Sequence, residues 1–187
     1  MEKLKIKLDE IIDFDMKKER QIWEKESITK IEEKYSLSLP EDYIFYLRFY
    51  GNDYIKDDYR FKPTISLPKN IRQSTFELDS IFGLGDHANS FEKKLEFYQE
   101  TLPAIIFPIA DLPGGDLVCM EKESNKIYFW FHELEGENIF LAAENFQEFI
   151  VSFQHEQVER ANLNNIKLNL SSELDSALRK AAEKYRK

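Results

Sequence analysis

Three histidines, His87, His132 and His155, are the side chains best suited to acid–base chemistry or metal binding at neutral pH. A zinc site of the His-Glu-x-x-His kind needs two histidines four positions apart, and this spacing does not occur. Glu133 directly follows His132, so these two residues could form half of an acid–base pair. A histidine that only packs at a strand end is the commoner interpretation. We therefore expect no catalytic residue and no metal site.

The glycine motifs lack the context that phosphate-binding loops require. Gly83-Leu84-Gly85 has no third glycine and no strand-to-helix context, and neither a Gly-x-x-x-x-Gly-Lys loop nor a Gly-x-Ser-x-Gly elbow is present. The single cysteine, Cys119, lies in an apolar run, where a thiol normally packs and does not react. The sequence therefore predicts a protein that is not an enzyme and has no cofactor.

Negative charge dominates the composition. The 187 residues include 35 acidic and 26 basic side chains, a net charge of −9, and positions 21–155 hold 24 acidic and 13 basic ones. Nucleic-acid binding needs a basic face, so we expect no direct binding to nucleic acid. Such a charge either maintains solubility or prepares a surface for a basic protein partner, and charge alone does not distinguish these roles.

The sequence also predicts the compartment. No apolar run approaches the ~20 residues of a membrane-spanning helix. The N-terminal stretch carries acidic residues among its apolar ones, unlike a secretory signal. Together with the lone cysteine, these features predict a protein of the reducing cytoplasm that has no membrane contact.

Helices are predicted where apolar residues recur every three or four positions, over about 2–13, 27–35, 40–50, 91–98, 146–153 and 173–186. Ser27, Ser90 and Asn145 are expected as N-caps. Pro40 is expected at the first position of its helix, and Gly51 is expected to end that helix in the left-handed conformation.

Apolar and β-branched runs predict strands over 76–81, 104–109, 117–120, 126–132 and 139–142. The connections between the last four are too short for parallel crossovers and predict antiparallel hairpins. Residues 52–74 are expected to form a long surface connection or an insertion. The predicted fold class is α+β, with an antiparallel sheet of about four to six strands and helices packed around it.

Four segments resemble motifs of the SUKH superfamily and occur in the same order over about 27–153. One turn differs, because Tyr50-Gly51-Asn52 inverts the family's Asn-Gly order. The segments are Leu39-Pro40-Glu41-Asp42-Tyr43 with Tyr50-Gly51-Asn52, Phe107-Pro108-Ile109-Ala110 with Gly115-Asp116, Ile127-Tyr128-Phe129-Trp130-Phe131-His132-Glu133, and Ala142-Ala143-Glu144-Asn145-Phe146-Gln147-Glu148-Phe149-Ile150.

The resemblance implies recognition through surface shape and charge, because the superfamily includes many bacterial immunity proteins of polymorphic toxin systems. It implies a protein that neutralises a cognate toxin, for instance a nuclease, by direct binding. We expect a SUKH-like domain over 1–155 and a C-terminal extension over 156–187, with a terminal helix, packed on that domain. Two alternatives stay open. One is a regulatory scaffold like the fungal regulator of cell-wall glucan synthesis, and the other is a small-molecule-binding domain.

The candidate partner-binding residues lie in two acidic segments predicted as loops, where binding residues tend to occur. Acidic loops could enter the basic substrate channel of a toxin in place of nucleic-acid phosphates. The simpler alternative is that both are merely solvated loops. The candidates are Asp53, Tyr54, Asp57, Asp58 and Tyr59 in the first loop and Glu133, Glu135 and Glu137 in the second.

Overall fold

The computed structural model describes most of the chain up to residue 156. The predicted helix at 173–186 and the extension beyond residue 156 lie outside the described residues. None of the helices in the described part is long and apolar enough to cross a bilayer. The described ranges are 1–14, 21–51, 53–69, 71, 73–78 and 81–156.

Three helices precede the sheet, as the sequence predicts: α1 spans Glu2–Ile11, α2 spans Lys25–Tyr35 and α3 spans Glu41–Phe49. Each buries a stripe of apolar residues at helical spacing. α2 begins earlier than predicted, because Glu24 and not Ser27 is its N-cap. Pro40 is likewise the N-cap of α3 and not its first helical residue.

Four strands form one antiparallel sheet, which confirms the predicted hairpins and the α+β class. β2 spans Ile106–Asp111, β3 Leu117–Glu121, β4 Ile127–Trp130 and β5 Ile139–Ala143, and their order in the sheet is β2-β3-β4-β5. α4 (Phe91–Tyr98) precedes this sheet and α5 (Phe146–Val151) follows it. The predicted N-cap of α5 is confirmed, since Oδ1 of Asn145 accepts a hydrogen bond from the backbone N–H of Glu148 at 2.8 Å.

The segment predicted as a long connection contains a strand that the sequence did not reveal. β1 (Tyr59–Phe61) pairs antiparallel with β6 (Phe153–His155), so a two-stranded sheet joins this segment to the end of the described domain. In contrast, the strand predicted over 76–81 does not form as a ladder in its described residues. Phe76 makes a single bridge to Phe61, and Ile81 makes one to Ala110.

Side chains pack on both faces of the four-stranded sheet, because successive residues of a strand point to opposite sides. Val118 and Phe129 join the main core with the helices, whereas Leu117, Cys119 and Trp130 form a smaller cluster on the other side, which we call the outer face. α4 lies between the two clusters. Its Phe91 and Leu95 belong to the main core, and its Tyr98 packs with the outer cluster.

The prediction that Gly51 adopts the left-handed conformation is wrong, because Gly51 does not have a positive φ. It is needed for a close approach instead. A Cβ atom at this position would lie 3.0 Å from the Cα atom of Gly83 and 3.0 Å from the carbonyl oxygen of Leu47. Two backbone segments therefore meet at the end of α3 without room for a side chain.

Candidate protein-binding surface

The first predicted loop, 53–59, is anchored to the domain by several of its side chains. Asp53 is only 3% exposed and Tyr59 only 9%, so neither offers its side chain to a partner. The Tyr59 hydroxyl donates a hydrogen bond to Oε1 of Glu10 at 3.0 Å, and burial raises the pKa of Tyr59. Oδ2 of Asp58 lies 2.8 Å from Nε2 of His155. Most of this loop therefore holds the fold together.

Two residues of the first loop are exposed, and the Asp58 side chain keeps 48% of its surface accessible although it contacts His155. The Tyr54 side chain is 50% exposed, and Asp57 is exposed as well. The backbone carbonyl of Asp57 accepts a hydrogen bond from the Arg60 guanidinium. Tyr54 and Asp57 are therefore the first-loop candidates that still fit a partner-binding role.

The second predicted loop connects β4 to β5, and all three of its glutamates are exposed. We call residues 133–137 the acidic hairpin. Among the described residues, the carboxylates of Glu135 and Glu137 have no basic group within 4 Å, and Glu133 lies 3.8 Å from Nε2 of His132. The sequence contains no lysine or arginine from position 127 to position 159. The acidic hairpin thus carries a negative charge that its own domain does not neutralise.

A histidine–aspartate contact fixes the base of the acidic hairpin. Oδ1 of Asp116 accepts a hydrogen bond from the backbone N–H of His132 at 3.0 Å and lies 2.9 Å from Nδ1 of the same residue. Gly115 has a φ of 95°, and a Cβ atom there would lie 3.4 Å from the His132 ring. Residue type and spacing do not predict this pairing, although Gly115-Asp116 and His132-Glu133 both occur in the segments that resemble family motifs.

Aromatic rings extend from α4 across the outer face to the acidic hairpin. Ring centroids are 4.8 Å apart for Phe97 and Tyr98, 6.5 Å for Tyr98 and Trp130, and 6.1 Å for Trp130 and His132. We call these four residues the aromatic row. Phe97 is 74% exposed, so the row ends on the surface. Exposed aromatic side chains beside a charged rim are typical of protein-binding sites.

The partly exposed part of the outer face comes from β4 and β5. Tyr128 pairs with Leu141, and Trp130 pairs with Ile139, in the register of these two strands. Tyr128, Ile139 and Leu141 are each partly exposed, and Trp130 lies beside them. The sequence predicts these residues as strand residues, but it does not reveal which side of the sheet stays accessible.

Reactive chemistry finds little support at this surface. Cys119 is fully buried beneath the outer face, and burial raises its thiol pKa well above the usual range, so the thiol stays protonated and packs. Among the described residues, no group of three or more histidine, cysteine, aspartate or glutamate side chains could hold a metal ion.

A polar groove of about 400 Å³ lies beside Asp116 and bears on the small-molecule alternative. Arg60 is its basic residue, and its guanidinium lies 3.4 Å from a carboxylate oxygen of Glu77 and 3.1 Å from one of Glu156. Since two carboxylates already hold this cation, the groove offers an acidic ligand no free positive charge.

The fold and this surface together define a small α+β domain that carries an acidic hairpin beside an aromatic sheet face. Residues 24–152 match the SMI1 / KNR4 family (SUKH-1), so the chain belongs to this family and the suspected SUKH membership is confirmed. The chain is also similar to the SPbeta prophage-derived uncharacterized protein YokK of Bacillus subtilis (strain 168). The two are 32% identical over 146 residues, which cover 72% of this chain and 76% of that relative.

Proposed function

We propose that this protein is an immunity protein that neutralises a cognate polymorphic toxin by binding it directly in the cytoplasm. It acts by occupying a basic surface of the toxin, without catalysis and without touching nucleic acid or membrane itself. A toxin nuclease suits this role, because its substrate channel must be basic to hold phosphates.

Membership of the SUKH family over residues 24–152 is the observation that carries this proposal. It extends the motif resemblance, which implies immunity proteins among the bacterial members. The prophage origin of the relative from Bacillus subtilis is in keeping with a gene of mobile elements, where toxin and immunity genes are useful to their carrier.

The acidic hairpin supports the same function physically. Complementary charge accelerates the encounter of two proteins and disfavours wrong partners. Glu133, Glu135 and Glu137 project this charge from a turn whose base is held by Asp116. Tyr54 and Asp57 are proposed as secondary contacts from the first loop.

Co-expression tests the proposed function. A candidate toxin gene from the neighbourhood of this gene would be induced in a sensitive host, with or without this protein, and with a catalytically inactive toxin as the control for expression burden. We expect growth to be restored when the protein is present. Continued killing, although the protein is expressed in soluble form, would overturn the immunity proposal.

A further inference from the structure

We infer that the outer face of β4 and β5, the aromatic row and the acidic hairpin form one continuous docking surface for the toxin. This inference rests on the proposed function and assigns it a place on the molecule. The occupant that fits is a basic protein surface on which arginine side chains surround an apolar patch.

The apolar and acidic parts adjoin because a single hairpin carries both. Trp130 and Ile139 are paired across β4 and β5, and the backbone N–H of Phe131 donates a hydrogen bond to the carbonyl of Asn138 at 2.9 Å. The acidic hairpin starts immediately beyond this last pair. A partner seated on the partly exposed Ile139 would therefore reach the glutamates without crossing another element.

The apolar part has the composition of an interface centre. Tyrosine and tryptophan are enriched among residues that contribute most to binding, since they bury a large area with few rotatable bonds. Tyr128 and Tyr98 provide such partly exposed side chains here, the nearly buried Trp130 packs beside Tyr98, and the highly exposed Phe97 extends the row toward solvent. A single aromatic side chain on a protein surface is common. A row of aromatic side chains in contact with one another on a surface is typical of a binding site.

Charge selects the chemistry of the partner. The hairpin end of the surface carries three glutamates that no lysine or arginine of the described domain neutralises. At the other end, Nζ of Lys126 lies 2.8 Å from a carboxylate oxygen of Glu144, which cancels one charge. Arginine fits this pattern best, because its guanidinium binds carboxylates through two hydrogen bonds and stacks on aromatic rings.

The hairpin is also prepared for binding before the partner arrives. The two contacts of Asp116 with His132 fix the point where the hairpin leaves β4, and the adjacent Gly115 has a φ of 95°, which glycine adopts without strain. A surface that is already ordered loses less conformational entropy when it binds.

Binding of the purified, catalytically inactive toxin domain encoded by that candidate toxin gene tests this inference. Leu141→Arg places a positive charge in the middle of the proposed surface, and Ile6→Arg places the same charge on α1, where the side chain is 62% exposed. We expect Leu141→Arg to raise the Kd at least about tenfold and Ile6→Arg to change it less than about twofold.

A second pair of variants tests the same surface with substitutions that should leave the fold intact. Phe97→Ala truncates a side chain that is mostly in solvent, and Ile22→Ala is its control at another exposed apolar residue. We expect Phe97→Ala to weaken binding about fivefold with an unchanged thermal unfolding midpoint, and Ile22→Ala to do neither.

The outcomes separate the two proposals. If the wild-type protein does not bind the toxin domain, the proposed function fails and the surface assignment fails with it. If the wild type binds and both Leu141→Arg and Phe97→Ala bind equally well, only the surface assignment is overturned. If the wild type self-associates and Leu141→Arg abolishes this, the surface belongs to a second copy of the chain, and the assignment to the toxin is likewise overturned.

Discussion

Both loops are rich in acidic residues, but their side chains have different roles. Most of those in the first loop contact the domain, and the glutamates of the acidic hairpin face solvent. In the first loop, the contacts of Asp58 and Tyr59 and the burial of Asp53 fix the segment to the domain. In the acidic hairpin, the domain holds the base through Asp116 and leaves the glutamates in solvent. Acidic residues therefore report a binding surface only where the fold does not use them itself.

The largest expected effect is on the rate of association with the toxin domain, which should depend on the acidic hairpin more than on the first loop. Glu135→Lys combined with Glu137→Lys should slow association with the toxin domain about tenfold at low ionic strength and much less at high salt, because exposed charges act on the encounter and are screened. Stopped-flow or surface-binding kinetics would measure this. The double variant should unfold at the same denaturant concentration as the wild type.

The same charge reversal in the first loop is the control for the variant of the acidic hairpin. Asp57→Lys combined with Asp58→Lys alters the net charge equally, so it should slow association only about twofold while lowering stability, since Asp58 contacts His155. Equal slowing by both double variants would mean that overall charge, and not the acidic hairpin, guides the toxin.

A smaller effect should follow when the base of the acidic hairpin is released. Asp116→Ala removes both contacts with His132, so hydrogen exchange should accelerate at 132–138 and the Kd should rise about threefold to fivefold as the loop loses its preformed shape. Asp111→Ala is the control, because it removes a carboxylate near the same turn that contacts Lys94 instead. Unchanged exchange in Asp116→Ala would show that the contact does not order the hairpin.

The buried Tyr59 of the first loop should affect stability and not binding. Tyr59→Phe removes only the hydroxyl that donates to Glu10, so the free energy of unfolding should fall by about 0.5–1 kcal/mol. The association rate should stay as in the wild type. A slower association rate in this variant would place Tyr59 itself in the interface.

The smallest expected effect concerns pH. The pKa of Glu10 lies below its ordinary value of 4.5, chiefly because Lys7 donates a hydrogen bond to its carboxylate. The hydrogen bond from Tyr59 lowers this pKa by a smaller amount. A carboxyl with a lowered pKa in the folded state adds stability above the unfolded pKa and loses it as the pH falls through the folded pKa. The stability that Glu10→Gln loses as the pH falls below about 4.5 should therefore be smaller than the wild-type loss by only about 0.3 kcal/mol, because the Glu10 side chain is 46% exposed and its interactions are screened by solvent.

Sequence patterns predicted the elements that form from neighbouring residues. α1 to α5 and the hairpins from β2 to β5 follow from local periodicity, turn residues and short connections. The pairing of β1 with β6 was not predicted, because both strands have three residues and are distant in sequence. Strands this short give almost no alternating pattern, and the energy that forms them comes from packing of Phe61 and Phe153 in the core.

The candidate site was predicted in the same uneven way. Position in a polar segment correctly predicted exposure for Glu133, Glu135 and Glu137. It failed for Asp53, whose neighbours also look like a surface turn, because burial depends on which segments pack over a residue and not on the residue's own type. The contact between Asp116 and His132 is likewise tertiary, since it joins the β2–β3 turn to the end of β4.

The two edge strands of the four-stranded sheet, β2 and β5, limit how another polypeptide could add a strand to this sheet. On the β2 side, the backbone N–H of Phe82 donates to the carbonyl of Ile109 at 2.7 Å, and on the β5 side that of Thr64 donates to the carbonyl of Ala142 at 3.2 Å. Strand addition needs a free row of backbone groups along an edge. One backbone position on each edge is already occupied in this way, which shortens the free row of groups that an incoming strand could pair with and so disfavours edge-to-edge aggregation.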